Sequence, residues 1–242
     1  MLTLLPFFHR TAVGFALFAL LSGTTLAADL QRGWDAAERG DYATAMQEWR
    51  PLAEQGNAEA QFNLGFMYHQ GYGVPQDYQE AVKHYLLAAE QGLASAQFHL
   101  GSMYSNGYGI PQNYQEAVKW LRLAATQDDD AHVPLAQAWL GFMYYDGKGV
   151  VQNYQEAAKW FRLAAEQGQA VAQEKLGAMH ALGYGVPQDY IVAHMWLNLA
   201  VASGRESAAE FRNKLAEEMS PEQIAQAQDL ARQCLERDYK GC

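Results

Sequence analysis

The chain has 242 residues, of which 50% are apolar and 18% are charged, and its formal net charge is -10. A chain of this length and composition can bury a sizeable core. The negative charge and the lack of a basic patch argue against a nucleic-acid backbone or an anionic membrane surface as partner, because either needs clustered lysine and arginine.

Residues 1–28 have the pattern of a secretory signal peptide. Arg10 precedes the apolar run TAVGFALFALL, and small residues then give a cleavage site near Ala27 or Ala28. A membrane anchor is the alternative, but a spanning helix needs about 20 apolar residues. We therefore expect a periplasmic or secreted protein with no stable membrane span after cleavage. A cytoplasmic adaptor with an uncleaved N-terminus is a further possibility that N-terminal sequencing would test.

A segment rich in helix breakers recurs four times along the chain. LGFMYHQGYGVPQDY begins at Leu64, and related segments begin at Leu100, Leu140 and Leu176. The copies are therefore 36, 40 and 36 residues apart. Self-similarity at a period of this size indicates a repeat architecture.

Each copy is predicted to form two helices joined by a turn. In the first copy, Gly71 ends the first helix in a left-handed conformation and Gly73 turns the chain again. Asp77 caps the second helix, and Glu80 is placed to complete a capping box. Gly65 lies inside the first helix, where glycine costs about 1 kcal/mol relative to alanine. We expect a neighbouring helix to approach closely there.

These segments resemble the Sel1-like repeats, which are relatives of the tetratricopeptide repeats. The family pattern is A-x-A-Q-x-x-L-G-x-M-Y, then G-x-G-V, a D-Y turn, an E-A pair and an A-A-x-x-G ending, and it matches residues 58–92 nearly throughout. The resemblance implies an all-α fold, a right-handed α/α superhelical solenoid of helix-turn-helix repeats. It also implies a binding role, because bacterial Sel1-like proteins act as adaptors in envelope assembly, signalling and host interaction.

Together with the signal-peptide pattern, the resemblance gives the following domain organisation, with about twelve helices in all. The second repeat contains an inserted acidic loop near Asp128, which could hold a divalent cation weakly but which we interpret as a solvated loop. A solenoid also needs a polar cap at its end. The segments are the signal peptide (1–28), a tetratricopeptide-like hairpin (29–57), Sel1-like repeats (58–93, 94–133, 134–169 and 170–204) and capping helices (205–242).

The candidate partner site lies on the first helix of each repeat. In tetratricopeptide-type solenoids, which this chain resembles, the first helices line an inner groove. Aromatic residues recur at its non-core positions and predict a groove for a peptide or a partner helix, unless the rings pack between neighbouring helices. The groove candidates are Phe62, Phe66 and His69, then Phe98, Ser102 and Ser105, then Ala138, Phe142 and Tyr145, and finally Glu174, Ala178 and Ala181.

Two cysteines lie near the C-terminus, Cys234 and Cys242. In an oxidising compartment they could form a disulfide that closes a small loop. The alternative is a buried helical thiol together with a frayed terminal one. The sequence leaves both possibilities open.

The sequence contains no catalytic motif that we can identify. HExxH, GxSxG and P-loop patterns are missing, the GxG pairs lack a third glycine, and the histidines have no metal-ligand spacing. Some Sel1-like proteins are labelled penicillin-binding or β-lactamase-like, but no serine here begins a Ser-x-x-Lys motif. We therefore expect a monomeric, non-enzymatic protein with no cofactor or metal. A cell-wall or β-lactam hydrolase is the alternative, and nitrocefin turnover would distinguish it.

Overall fold

The structure, a computed structural model, describes residues 29–127 and 131–242. The predicted signal peptide and the acidic run at 128–130 lie outside these residues. Within them the chain is helical and contains no strand. It divides into two compact units, Met1–His84, described from residue 29, and Tyr85–Cys242. The prediction of an all-α repeat fold is confirmed.

Twelve helices account for most of the described residues. None of these helices is both long and apolar enough to cross a bilayer. Their bounds are α1 (29–38), α2 (Tyr42–Glu54), α3 (Ala58–Gln70), α4 (Tyr78–Glu90), α5 (Ala94–Asn106), α6 (Tyr114–Ala125), α7 (Val133–Asp146), α8 (Tyr154–Ala165), α9 (Ala170–Leu182), α10 (Tyr190–Ala202), α11 (Ser207–Ala216) and α12 (Pro221–Glu236).

The first unit has its core between α2 and α3. Trp49 and Leu52 of α2 pack in one cluster with Leu64 and Met67 of α3. Trp34 of α1 meets the Trp49 ring edge-on at a centroid distance of 5.3 Å. The apolar residues that recur at helical spacing therefore form the core stripe predicted from the sequence.

The second unit stacks three hairpins in chain order. Within the hairpins, α5 packs on α6, α7 on α8 and α9 on α10. Each second helix also packs against the first helix that follows it, and α7 contacts both α5 and α9. The first helices of successive repeats therefore lie side by side along this unit.

The glycine inside each first helix of the second unit admits the second helix of the same hairpin. A Cβ placed on Gly141 would lie 2.6 Å from the ring of Phe161, and one on Gly177 would lie 2.9 Å from Cγ of Leu197. Gly101 makes the same close approach to α6. A larger residue would force the two helices apart. The predicted packing role of this glycine is confirmed in these three repeats.

The start of each second helix is capped as predicted, but the capping box is not completed. Oδ1 of Asn153 accepts hydrogen bonds from the backbone N–H groups of Gln155 and Glu156 at 3.0 and 3.1 Å. The Glu156 carboxylate does not return to the cap and instead pairs with Lys159 at 2.5 Å. The Glu116 carboxylate likewise pairs with Lys119, at 3.3 Å. The box prediction was wrong here because a cation one turn along the helix competes for the glutamate.

Buried glutamines join each repeat to the one before it. Nε2 of Gln137 donates to the carbonyl oxygen of Ala125, the last residue of α6, at 3.1 Å. Gln173 makes the same bond to Ala165 at 3.1 Å. A helix end leaves its last carbonyls without intrahelical partners. The glutamine of the A-x-A-Q pattern supplies one such partner from the next repeat.

The C-terminal segment closes the second unit. Both α11 and α12 pack on α10, and Cys234 and Cys242 are joined by a disulfide with their Cα atoms 5.7 Å apart. The loop between them brings the hydroxyl of Tyr239 to 3.3 Å from Oγ of Ser203. The Tyr239 ring also lies against Gly168, which follows α8. The loop therefore covers the ends of two second helices.

Candidate binding cleft

The groove candidates of the first unit form a row of half-buried rings on α3. The centroids of Phe62 and Phe66 are 6.4 Å apart, and Phe66 meets Tyr72 edge-on at 6.2 Å. His69 meets Tyr78 edge-on at 5.5 Å. Burial lowers the pKa of His69, so its neutral imidazole is favoured in this row.

Four groove candidates of the second unit are buried, and the structure corrects that part of the prediction. Phe98 is 9% exposed and Ala138 is 3% exposed. They occupy the same repeat position, two residues before the Leu-Gly pair, and this position faces the adjacent first helix because α5 and α7 pack side by side. Ser105 is 7% exposed and Ala181 is 5% exposed. None of the four presents its side chain freely to a partner.

Glu174 is engaged by its own chain. Its carboxylate pairs with the guanidinium of Arg205 and lies 3.3 Å from Oγ of Ser207. Both partners come from the loop and helix that follow α10. The side chain of Glu174 is 19% exposed. Its charge is therefore used in the contact between the fourth repeat and the C-terminal cap.

The second unit has an open cleft of about 470 Å³ beside α7. The volume falls in the range of ligand pockets, roughly 300–1,000 Å³. Aromatic rings form the walls and polar groups lie around them. We call this site the α7 cleft. Its lining residues are Ser105 and Asn106 of α5, Gln112 and Tyr114 at the start of the next helix, Trp139, Phe142, Met143 and Asp146 of α7, and Lys148 of the turn that follows.

Hydrogen bonds hold the polar side of the α7 cleft in place. Nε2 of Gln112 donates to the carbonyl oxygen of Ser105 at 2.8 Å and to the Tyr114 hydroxyl at 3.0 Å. Nδ2 of Asn106 donates to the carbonyl oxygen of Ser102 at 2.9 Å. These bonds fix the Tyr114 ring and the Asn106 amide before any ligand arrives, which lowers the entropy cost of binding.

Besides the buried Ser105, two candidate residues lie at or near the cleft, Phe142 and Tyr145. Phe142 lines it, and its ring meets Phe161 edge-on at 5.1 Å. Tyr145 lies one turn further along α7 and meets Tyr154 edge-on at 5.0 Å. Burial raises the pKa of Tyr145, and the neighbouring hydroxyls and Asp146 add to the shift. Tyr145 is therefore a neutral ring held by the second helix of its own repeat.

A second cleft, of about 560 Å³, lies between α6 and the turn that follows α7. Its cations are Lys119 and Arg122 of α6. Lys119 pairs with Glu116 at 3.3 Å, and Arg122 donates to the hydroxyl of Tyr144. Both cations therefore already serve contacts within the chain.

The described residues contain no group of three or more histidine, cysteine or acidic side chains that could bind a metal ion. The residues predicted from the sequence did not include the polar wall of the α7 cleft, Gln112 and Asn106, or its mouth, Lys148. One signal was visible, because the middle residue of the G-x-G turn is tyrosine in three copies and lysine only at position 148.

The comparisons with known proteins agree with the repeat pattern. The family model described as Sel1 repeat matches residues 58–93, 94–129, 134–169 and 170–204. None of the curated proteins compared with the chain matches it. Among solved structures, a Sel1 repeat protein from Oxalobacter formigenes is 33% identical, with a TM-score of 0.72 over 86% of this chain and 87% of that one.

A protective antigen of uropathogenic Escherichia coli with an SLR fold is also 33% identical to the chain, with a TM-score of 0.80. The match covers 88% of this chain but 47% of the E. coli protein. The chain therefore spans about half the length of that relative. With four matched repeats over more than half of its length, the chain belongs to the Sel1 repeat family.

Proposed function

We propose that this protein is an exported, non-enzymatic repeat scaffold that binds a segment of a partner protein in the α7 cleft. The observation that carries the proposal is the cleft itself, in which Tyr114, Trp139 and Phe142 surround an open volume of about 470 Å³. Aromatic rings in a partly desolvated pocket are typical anchoring points of protein interfaces. The Sel1 repeat fold supplies the rigid helices on which such a pocket is built.

The character of the lining favours a peptide segment as the ligand. The apolar surface of the rings suits a side chain, whereas Asn106 and Gln112 present amide groups suited to the polar backbone of an extended chain. Lys148 and Asp146 form an ion pair at 3.1 Å at the mouth of the cleft, and each side chain stays at least 40% exposed. A solvated ion pair of this kind adds little stability, so it can open for a ligand at small cost.

Export is supported by both ends of the chain. The N-terminal sequence has the pattern of a cleavable signal peptide with cleavage near Ala27 or Ala28. At the other end, Cys234 and Cys242 form a disulfide, a bond that persists in oxidising compartments such as the periplasm and the cell exterior. N-terminal sequencing of the mature protein tests export directly, and a chain that still begins at Met1 would contradict it.

Photocrosslinking tests the site. A lysine analogue that carries a diazirine group replaces Lys148 at the mouth of the cleft, and the matched control carries the same analogue at Lys159, an exposed position on α8. In an envelope extract we expect a discrete crosslinked product from position 148 and none from position 159. Phe142→Ala, with helicity checked by circular dichroism, should weaken that product. Equal products from both positions would contradict the proposed site.

The non-enzymatic part of the proposal has its own test. Purified protein is incubated with nitrocefin and with a fluorescent penicillin. We expect neither turnover nor labelling, because no serine of the sequence begins a Ser-x-x-Lys motif. Catalytic turnover by the pure protein would replace the scaffold function with a hydrolase.

A further inference from the structure

The turns of this protein stack tyrosine rings from one repeat onto the next. In the first unit, the ring of Tyr72 stacks on Tyr42 with a centroid distance of 4.6 Å and an angle of 10° between the planes. In the second unit, Tyr184 stacks on Tyr154 at 5.2 Å and 18°. In each pair, one ring is the middle residue of a G-x-G turn and the other begins an earlier second helix.

The turn after α7 has the backbone needed for the same stack. A Cβ placed on Gly149 would lie 2.3 Å from the carbonyl oxygen of Tyr114, and one on Gly185 would lie 2.3 Å from that of Tyr154. The two turns therefore dock in the same way on the tyrosine beneath them. The middle residue of the turn after α7 is Lys148.

Lys148 does not cover the ring that its turn approaches. Its ammonium group turns to Asp146, with Nζ and Oδ2 3.1 Å apart. In the part of the chain that the structure describes, no ring is stacked on Tyr114 and no cation lies over it. The α7 cleft opens at this position, with Tyr114 as one of its walls.

We infer that the α7 cleft binds an aromatic side chain of a partner peptide, which stacks on Tyr114 where the turns after α3 and α9 place a tyrosine of their own. This inference rests on the proposed binding function and names the ligand chemistry. The partner's ring continues the ring-on-ring interface that Tyr154 and Tyr184 make in the adjacent repeat. The repeat thereby exchanges an internal contact for an intermolecular one.

The other walls select a ring over an aliphatic side chain. Trp139 and Phe142 face the same volume as Tyr114, so an inserted ring meets aromatic surfaces on more than one side. Offset-stacked and edge-to-face ring pairs are stabilised beyond the effect of the buried area alone. A leucine side chain buries apolar area but has no ring to stack.

Nuclear magnetic resonance with two blocked tripeptides tests the ligand chemistry. The probe is acetyl-glycyl-tyrosyl-glycinamide, and the matched control is acetyl-glycyl-leucyl-glycinamide. We expect the tyrosine peptide to shift the Trp139 indole N–H signal with a Kd about two- to tenfold lower than that of the leucine peptide. Equal Kd values, or shifts confined to residues outside the cleft, would overturn the inference.

Two substitutions at the turn separate filling of the cleft from loss of charge. Lys148→Tyr restores the residue of the other turns, so its ring should occupy the cleft and abolish the Trp139 shift. Lys148→Gln removes the charge without adding a ring, so the cleft stays open and the tyrosine peptide should still shift the Trp139 signal. Unchanged peptide binding by Lys148→Tyr would overturn the inference.

The reverse substitution should create a second site. Tyr184→Lys removes the ring that covers Tyr154, so we expect a new set of shifts near Tyr154 when the tyrosine peptide is added, with helicity retained. Failure to gain this second set in a folded variant would show that the turn residue does not control the cleft.

The crosslinking experiment and the peptide-binding experiment test different claims, and either can fail without the other. A crosslinked partner at position 148 without binding of the tyrosine peptide would leave the scaffold function intact and overturn the aromatic ligand. Binding of the tyrosine peptide without any crosslinked partner would support the cleft chemistry and contradict the proposed function in the envelope.

Discussion

The turns that follow α7 and α9 share a backbone and differ in one side chain. The two glycines have φ angles of +70° and +71° in the first turn and +73° and +69° in the second. The middle residue is Lys148 in one and Tyr184 in the other, and only the tyrosine stacks on the ring beneath it. The glycines therefore fix the backbone of the turn, whereas the middle residue can change without altering that backbone.

Substitution of the second glycine should have the largest effect, and an equal one in both turns. Gly149→Ala and Gly185→Ala each place a Cβ 2.3 Å from a backbone carbonyl oxygen at a positive φ. The left-handed conformation costs an L-residue about 1–2 kcal/mol, and the forced backbone shift costs about 1–3 kcal/mol more. We expect the free energy of unfolding to fall by about 2–5 kcal/mol in urea titrations.

Gly204→Ala is the matched control, because Gly204 also has a positive φ but has nothing within 4 Å of the added Cβ. It should lose only the conformational part, about 1–2 kcal/mol. A loss as large as that of Gly149→Ala would mean that the close approach to Tyr114 contributes nothing. The comparison of the two turns would then rest on glycine conformation alone.

Removal of the middle side chain should lower the free energy of unfolding more in the turn after α9 than in the turn after α7. Tyr184→Ala loses a stacked ring and should reduce the free energy of unfolding by about 1–2 kcal/mol. Lys148→Ala loses an exposed ion pair and should change it by less than about 0.5 kcal/mol. Urea unfolding of both variants measures the difference.

A double-mutant cycle with Tyr154→Ala isolates the ring pair from other effects of Tyr184→Ala. We expect a coupling free energy of about 0.5–1.5 kcal/mol between Tyr154 and Tyr184. A coupling near zero would contradict the view that this stack holds successive repeats together.

The fold was predictable because its signals are local and recur in every copy. Gly71 and Gly73 stand where the chain must adopt a positive φ, and both do so in the structure. Gly141 predicted the approach of another helix, and Phe161 makes it. Each of these signals depends only on neighbours within one repeat, so a single sequence is enough to interpret them.

The candidate site was less predictable because exposure depends on contacts between repeats. Phe98 occupies the repeat position of Phe62, yet in the second unit this position faces the next first helix and is buried. Glu174 is paired with Arg205, which lies 31 residues further along the chain. Lys148 was visible as an exception to the tyrosine pattern, but its meaning depends on the stack that tyrosine makes in the turns after α3 and α9.

Insertion of the missing ring should stabilise the turn after α7. Lys148→Tyr places a ring over Tyr114 on a backbone that already matches the turn after α9. We expect the free energy of unfolding to rise by about 0.5–1.5 kcal/mol. Lys148→Gln is the control and should leave it unchanged within about 0.5 kcal/mol. A fall in stability with tyrosine would show that the cleft is shaped by more than the turn residue.

We expect the smallest effect on the free energy of unfolding at the repeat position that lies four residues before the middle residue of each turn. Tyr144 and His180 are equivalent, because the next helix cap donates its backbone N–H to the carbonyl oxygen of each at 2.9 Å. Burial lowers the pKa of His180 below its ordinary value of 6.5, although the contact of Nδ1 with the Pro187 carbonyl opposes the shift.

The sign of the pH dependence follows from the lowered pKa of His180. The unfolded chain binds a proton at this residue more readily than the folded chain does, so stability is complete above about pH 6.5 and falls as the pH drops below it. His180→Tyr restores the residue of the other repeats and removes this site. We therefore expect wild-type protein to lose more free energy of unfolding than the variant between pH 7 and pH 5. The remaining histidines act equally in both proteins, so parallel losses would show that His180 is not protonated on unfolding in this range.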